Sequence, residues 1–143
     1  MTRVDFYILS GAGAELRERF ACRLAEKAYG SGYTVLLLAE AAEQAERLDG
    51  LLWTFRQGSF VPHAPLEQRE GEPVAVATDE HGGDDAVLLN LTDRLPATWQ
   101  ARTRVAEIID QREAVLSASR QRYRAYRAAG CGPHTHRIEA GRR

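Results

Sequence analysis

The sequence has few of the residues that define several common classes of protein. Its 143 residues include only two cysteines, Cys22 and Cys131, which stand far apart. This spacing provides neither a CxxC metal motif nor the dense cysteine pattern of a disulfide scaffold. The single lysine, Lys27, is not followed by serine or threonine. The phosphate-binding loop of nucleotide hydrolases is therefore absent as well.

Long apolar runs are also missing. The longest unbroken run covers residues 35–39, whereas a membrane-spanning helix needs about 20 residues. The first residues contain no long apolar core followed by a small-residue cleavage site, so we expect no secretory signal. We therefore expect a cytoplasmic protein with reduced thiols and no membrane partner.

What the sequence does contain is typical of an ordinary folded domain. Hydrophobic residues make up 44% of the chain and charged residues 27%, which argues against intrinsic disorder. A chain of this length usually forms one domain. We assign residues 1–130 to a single α/β domain and residues 131–143 to a C-terminal tail.

Short apolar runs alternate with amphipathic stretches along this domain. The runs predict strands at 4–9, 33–38, 73–77, 86–91 and 105–109, and the amphipathic stretches predict helices at 14–29, 40–52 and 111–129, with a helical turn at 97–101. Alternating strands and helices favour an α/β sandwich with a mostly parallel sheet of about five strands.

Charge is divided unequally along the chain. Residues 112–143 contain eight arginines and two glutamates, a net charge of +6, while the remaining residues carry a net charge of −7. A clustered positive field predicts an anionic partner at one place on the molecule. The alternative is a solvated helix face in an arginine-rich protein.

The glycines after the first predicted strand are the feature closest to a nucleotide site. Gly11 and Gly13 begin a GxGxxG pattern, but Leu16 stands where the third glycine is needed. Glu40, at the end of the second predicted strand, could mimic a ribose-binding acid, although acidic residues are common there. A tight turn explains the glycines better than a nucleotide site.

Several other residues are of types that bind metals or act in catalysis. They are Cys131, His134 and His136 for zinc, Asp84, Asp85, Glu67, Glu70 and Glu72 for other metals, and Ser10, Ser59 and His63 for catalysis. The zinc set lacks a fourth ligand, the carboxylates lie in predicted loops, and the serines lack a GxSxG context. His63 fits a hydrogen-bonded turn residue better than a general base. We expect no catalytic site, no metal and no cofactor.

The last predicted helix carries cationic and aromatic side chains on one face. Arg120, Tyr123, Arg124 and Arg127 are three or four residues apart and so share that face. Arg122 and Tyr126 point elsewhere, and Tyr126 is expected to enter the core. Guanidinium groups can bind a carboxylate or phosphate while a ring supplies an apolar wall. The stripe suits single-stranded nucleic acid, or a peptide with an apolar last residue and a free carboxylate. Core tyrosines beside solvated arginines are a third possibility.

Four segments carry a resemblance to a known family. They are Asp5-Phe6-Tyr7-Ile8-Leu9, Arg47-Leu48-Asp49 with Leu52-Trp53, Ser59-Phe60-Val61-Pro62-His63, and Arg122-Tyr123-Arg124-Ala125-Tyr126-Arg127 with Ala129-Gly130. In this order, over nearly the whole chain, they resemble the chi subunit of bacterial DNA polymerase III, an accessory protein of the clamp-loader assembly. The Phe-Val-Pro-His and Arg-Tyr-x-Ala-Tyr-Arg motifs are specific in combination.

The resemblance implies a Rossmann-like, three-layer α/β/α fold without nucleotide chemistry and with two binding surfaces. One surface would bind the acidic, phenylalanine-ending tail of single-stranded-DNA-binding protein through Trp53, Ile109, Arg120, Tyr123 and Arg124. The other would bind the small psi subunit of the clamp loader through Phe60, Val61 and Pro62. The family often has lysine where Leu116 stands, so one cationic contact to the tail is expected to be missing.

The function implied by the resemblance is a non-catalytic adaptor in DNA replication. It would link the clamp loader, through psi, to single-stranded-DNA-binding protein, with mainly indirect contact to nucleic acid and with an accessory helicase as a further candidate partner. Two alternatives stay open: a direct single-stranded nucleic-acid binder using the arginine–tyrosine face, and a nucleotide-dependent enzyme on the same scaffold. The acidic body weakens the first, because it would repel a long phosphate backbone beyond that face.

Overall fold

The structure of the protein is a computed structural model that describes residues 1–139. Strands and helices follow one another in the order β1 (Arg3–Leu9), α1 (Ala14–Gly30), β2 (Val35–Leu38), α2 (Ala42–Thr54), β3 (His63–Pro65), β4 (Val74–Ala77), β5 (Val87–Asn90), β6 (Arg104–Ile109), α3 (Glu113–Ala128) and β7 (His134–Ile138). Short 3-10 helices occupy Leu66–Gln68 and Trp99–Ala101. Within these 139 residues, no helix is both long enough and apolar enough to cross a membrane.

The strands form one sheet in the order β3-β4-β2-β5-β6-β1-β7, and every pairing in it is parallel. Its inner strands β2, β4 and β5 are buried along their whole length, as expected where helices cover both faces of a parallel sheet. The predicted α/β fold is confirmed, with seven strands in place of about five.

The two strands that the sequence pattern did not reveal lie at the edges of the sheet. β3 has three residues and includes a proline, and β7 reads His-Thr-His-Arg-Ile, which has no apolar alternation. β7 corrects the expectation of a tail after residue 130, because residues 134–138 pair with β1. The chain turns back toward the sheet at Gly130, whose φ of 89° is in the left-handed region. Residues 140–143 of the expected tail lie outside the described residues.

Side-chain alternation along the strands separates two apolar layers. On one face, Leu9 and Leu37 pack with Ala21 of α1 and Leu48 of α2. On the other face, a second cluster centres on α3 and includes Tyr126. Helices α1 and α2 therefore cover one face and α3 covers the other, which is a three-layer α/β/α sandwich.

A buried polar network fixes α3 on its face of the sheet. Glu107 of β6 accepts hydrogen bonds from Arg122 at 2.9 Å, from the Tyr126 hydroxyl at 2.7 Å and from Asn90 at 3.0 Å. Burial, together with the Glu107 charge, raises the pKa of Tyr126, so its hydroxyl stays a donor. The expectation that Tyr126 enters the core is confirmed. With Arg122 and Tyr126 inside, Arg124 between them is exposed and Tyr123 is partly buried.

Candidate protein-binding surfaces

The outer side of α3 brings together cations and one aromatic ring. Tyr123 is partly buried, and its ring meets the ring of Phe6 edge-on, with centroids 5.3 Å apart. Arg120 Nη1 lies 3.7 Å from Oε2 of Glu113, and both side chains are exposed, so this ion pair is weak and exchangeable. Arg124 is exposed and makes no hydrogen bond or ion pair with any residue from 1 to 139. Its guanidinium group is free to bind an anion.

Strand β7 adds a second row of side chains beside α3. The register pairs Thr135 with Phe6 and Arg137 with Ile8, and paired residues on neighbouring strands point to the same face. Phe6 and Ile8 belong to the α3 side, so Thr135 and Arg137 do too. We call Arg120, Tyr123, Arg124, Thr135 and Arg137 the α3 surface. Sequence reasoning did not place the last two on this surface, because it assigned residues 131–143 to a tail.

Two residues expected in the tail pocket lie elsewhere. The side chain of Ile109 is on the α3 face but is only 1% exposed, so it is part of the core. Trp53 lies on α2, across the sheet, where its ring centroid is 4.5 Å from that of His63. Four strand spacings of about 4.8 Å, roughly 19 Å in all, separate β3 from β6. The structure therefore corrects the expectation of one binding surface that includes Trp53, Ile109 and Tyr123.

Trp53 instead forms an exposed pair with Phe60. Their ring centroids are 6.2 Å apart, and the two residues are 56% and 65% exposed. We call this pair the aromatic patch. Two such large rings in contact with solvent, side by side, indicate a surface for a protein partner. Its edge continues at the half-buried Pro62, but Val61 is fully buried in the core. Val61 thus anchors the segment and offers a partner no side-chain surface.

His63 holds the aromatic patch in place. Its Nδ1 is 2.6 Å from the carbonyl oxygen of Val61, and its Nε2 is 3.0 Å from the carbonyl oxygen of Asp49 in α2. His63 is hydrogen-bonded as predicted, but it begins strand β3 and does not stand in a turn. These two contacts tie the segment that carries Phe60 to the helix that carries Trp53. The two rings are therefore preorganised, which lowers the entropy cost of binding.

A further contact fixes the start of this segment on α1. The Ser59 hydroxyl donates to Glu26 at 2.6 Å, and Arg56 pairs with the same carboxylate. Burial alone would raise the pKa of Glu26, but these hydrogen bonds lower it below its usual value. Glu26 remains ionised and so keeps both ends of the segment 56–59 attached to the helix.

The carboxyl ends of the strands, where Rossmann-like enzymes bind nucleotides, are occupied by internal pairs. Buried Glu18 accepts from Arg47 at 2.9 Å, and buried Asp110 accepts from Arg112 at 2.7 Å. Gly13 has a φ of 137°, which explains the glycine as a turn requirement. No group of three metal-binding side chains converges in the described part of the chain. Asp85, one of the carboxylates considered for a metal, pairs with Arg69 at 2.7 Å.

Comparison with known proteins identifies the family of this arrangement. The model of a family described as "DNA polymerase III chi subunit, HolC" matches residues 1–134. The chain belongs to the DNA polymerase III chi subunit family. The resemblance drawn from its motifs is thereby confirmed.

Three curated relatives are named DNA polymerase III subunit chi. The protein from Pseudomonas aeruginosa is 40% identical over 139 residues, covering 96% of this chain and 98% of the relative. The Escherichia coli protein is 32% identical, with 94% and 97% covered, and the Haemophilus influenzae protein is 27% identical, with 94% and 96% covered. Each match covers at least 94% of this chain.

Proposed function

We propose that the protein is a non-catalytic accessory subunit of bacterial DNA polymerase III that acts as an adaptor in DNA replication. It connects the clamp loader, through the psi subunit, to the acidic C-terminal tail of single-stranded-DNA-binding protein. Family membership supports the replication role. The observation that carries the adaptor role is the position of two exposed surfaces, of different chemistry, on opposite faces of one sheet.

The α3 surface has the chemistry to bind a free, acidic chain end. A terminal carboxylate offers two oxygens to the guanidinium fork of Arg120 or Arg124, in a charge-assisted pair. The ring of Tyr123, fixed by Phe6, provides an apolar wall for the last side chain. Arg137, on the neighbouring strand β7, adds a further cation for acidic residues of the tail. Leu116, where the family often has lysine, is partly buried in the core cluster beside this surface.

The aromatic patch has the chemistry to bind a folded partner such as psi. Phe60 is exposed although no turn or strand requires a large ring there, and aromatic residues dominate protein–protein hot spots. Since Trp53 contacts Phe60 and lies far from Tyr123, we assign Trp53 to the psi surface rather than to the tail site. Pro62 stiffens the chain next to the ring.

Calorimetry with three ligands tests the tail site. The ligands are an acidic peptide ending in Pro-Phe, the same peptide with an amidated end, and a short oligothymidine. We expect Arg120→Ala to weaken binding of the free-acid peptide by about 1.5–3 kcal/mol, the worth of a charged hydrogen bond. The amidated peptide should bind poorly both to the unmodified protein and to the Arg120→Ala variant.

Arg19→Ala is the matched control for this experiment. Arg19 is also an exposed arginine in a helical ion pair, with Glu15 at 3.0 Å, but it lies on α1. We expect this variant to bind the peptide like the unmodified protein. If the amidated peptide binds as tightly as the free acid, or if Arg19→Ala weakens binding as much as Arg120→Ala, α3 is not the tail site.

A further inference from the structure

A cluster of basic side chains surrounds one buried acid at the amino end of the sheet. Asp5 of β1 is 2% exposed and accepts hydrogen bonds from Arg3 at 3.1 Å, from Arg104 of β6 at 3.1 Å and from His136 of β7 at 2.8 Å. The three partners come from three adjacent strands, so the sheet itself fixes their spacing. We call Arg3, Arg104, His136 and the nearby Lys27 the amino-end cluster.

The strand register places this cluster on the face opposite α3. Arg3 pairs with Arg104, and Tyr7 pairs with His136, so these residues point to the side that α1 and α2 cover. The last turn of α1 ends above them, and a cavity of about 130 Å³ there is lined by Lys27, Tyr33 and Arg104, among others. The side chain of Lys27 is exposed and makes no ion pair or hydrogen bond with any of the residues described.

The charges in the cluster do not cancel. Asp5 supplies one negative charge against Arg3, Arg104 and Lys27, so the local charge is positive although residues 1–111 together are net acidic. Arg3 donates hydrogen bonds to Asp5 from Nε and one Nη nitrogen, while Arg104 donates from only one Nη nitrogen. The arginine side chains are 47% and 39% exposed, so each keeps N–H donors for a ligand. Asp5 therefore holds two guanidinium forks at a fixed spacing, and forks of this kind bind phosphate in a bidentate manner.

Aromatic rings lie next to these cations. Tyr7 and His136 stack with centroids 4.8 Å apart and planes 16° apart, and Tyr33 lines the cavity beside Lys27. Cations that follow a phosphate backbone, with rings beside them for bases, are the elements of single-stranded nucleic-acid binding. A peptide segment made only of acidic residues would use the cations and leave the rings uncovered.

We propose that the amino-end cluster binds phosphate groups of single-stranded nucleic acid. Arg3 and Arg104 contact the phosphates, Lys27 extends the contact beneath α1, and Tyr33 lies where a base can stack. This site is separate from the α3 surface, and it does not depend on the proposed tail or psi binding.

Fluorescence anisotropy with a labelled oligothymidine, repeated across a salt series, tests the site. Each neutralised phosphate of a single strand contributes a slope of about −0.7 to a plot of log K against log salt. Three cations predict a slope of about −2. We expect Lys27→Gln to reduce its magnitude by about 0.7, and Arg104→Gln to weaken binding by at least about tenfold, the worth of one charged hydrogen bond.

Lys27→Gln is the decisive variant because Lys27 has no partner whose loss could disturb the fold. Arg19→Gln, the same charge change in the same helix, should leave both affinity and slope unchanged. Arg124→Gln reports on the opposite face. If Arg124→Gln weakens oligothymidine binding and Lys27→Gln does not, the nucleic-acid site is on α3 and the proposal is wrong.

Two further ligands distinguish a nucleic-acid strand from a single phosphate and from an acidic peptide. The mononucleotide dTMP should compete far less well than the oligothymidine, because it engages one phosphate at a time. The affinity of the protein for an acidic peptide should not change with Lys27→Gln. Equal affinity for dTMP, or a peptide affinity that falls with Lys27→Gln, would contradict binding of a nucleic-acid strand.

Discussion

At the scale of single residues, buried acids determine where the arginines of this protein point. Asp5, Glu107 and Asp110 are each buried, and each is paired with arginine. Arg124, which lacks such a partner, remains on the surface. Spacing predicted that Tyr126 and Arg122 leave the exposed stripe of α3. It could not predict Glu107 as their partner, because that contact joins residues 15 and 19 positions apart, on a helix and a strand.

Asp5 makes part of the stability of the protein dependent on pH. Burial by itself raises the pKa of Asp5, but hydrogen bonds from Arg3, His136 and Arg104 outweigh it and lower that pKa to about 2. The unfolded chain has the ordinary aspartate pKa of about 3.9. Since the folded pKa is the lower one, the stabilisation is complete above pH 4 to 5 and is lost as the pH falls toward 2.

We expect Asp5→Asn to remove about 2 kcal/mol of this pH-dependent stability, less than the full pKa shift is worth because solvent screens the half-exposed arginine partners. Urea unfolding of both proteins at pH 6 and near pH 2.5 measures it. The unmodified protein should lose more free energy of unfolding between the two pH values than the variant. Equal losses would show that Asp5 is not held ionised by its neighbours.

At the scale of elements, the sequence predicted those strands and helices that have a clear local pattern of apolar residues. The strands β1, β2, β4, β5 and β6 and all three helices have clear apolar periodicity, and their predicted bounds differ from the observed ones by at most two residues. Edge strands such as β7 have one neighbour and little apolar pattern, so they were missed. Periodicity also cannot tell which face of the sheet a helix covers, because both faces are apolar. The resemblance grouped Trp53 of α2 with Tyr123 of α3, and periodicity offered no test of that grouping.

In the segment between α2 and β3, exposed Phe60 is available to a partner, whereas its neighbour Val61 is buried in the core. We expect Phe60→Ala to change the free energy of unfolding by no more than about 0.5 kcal/mol, because the ring is exposed. The same variant should weaken psi binding by about 2 kcal/mol, as expected for a hot-spot aromatic. Thermal unfolding and calorimetry with purified psi measure the two effects.

Val61→Ala is the matched comparison for this prediction. Val61 is fully buried, so its truncation should cost about 1–3 kcal/mol of stability while folded protein still binds psi. The assignment fails if Phe60→Ala lowers the melting temperature and leaves psi binding intact.

At the scale of the whole molecule, the parallel sheet separates two surfaces of different chemistry. The basic segment 112–143 contributes α3 and β7 to one face, while the aromatic patch adjoins the acidic remainder of the chain. Such a division steers an acidic chain end toward α3, with an association rate that falls as salt rises. It also leaves the patch free for a second protein, since neither surface overlaps the other.

The most direct test of the adaptor account compares the affinity of the tail peptide for the protein alone and for its complex with psi. Isothermal titration calorimetry with the acidic peptide ending in Pro-Phe measures both dissociation constants under the same conditions. The separation of the α3 surface from the aromatic patch predicts that the two constants are equal. Displacement of the peptide by psi, or loss of peptide binding in the complex, would contradict it.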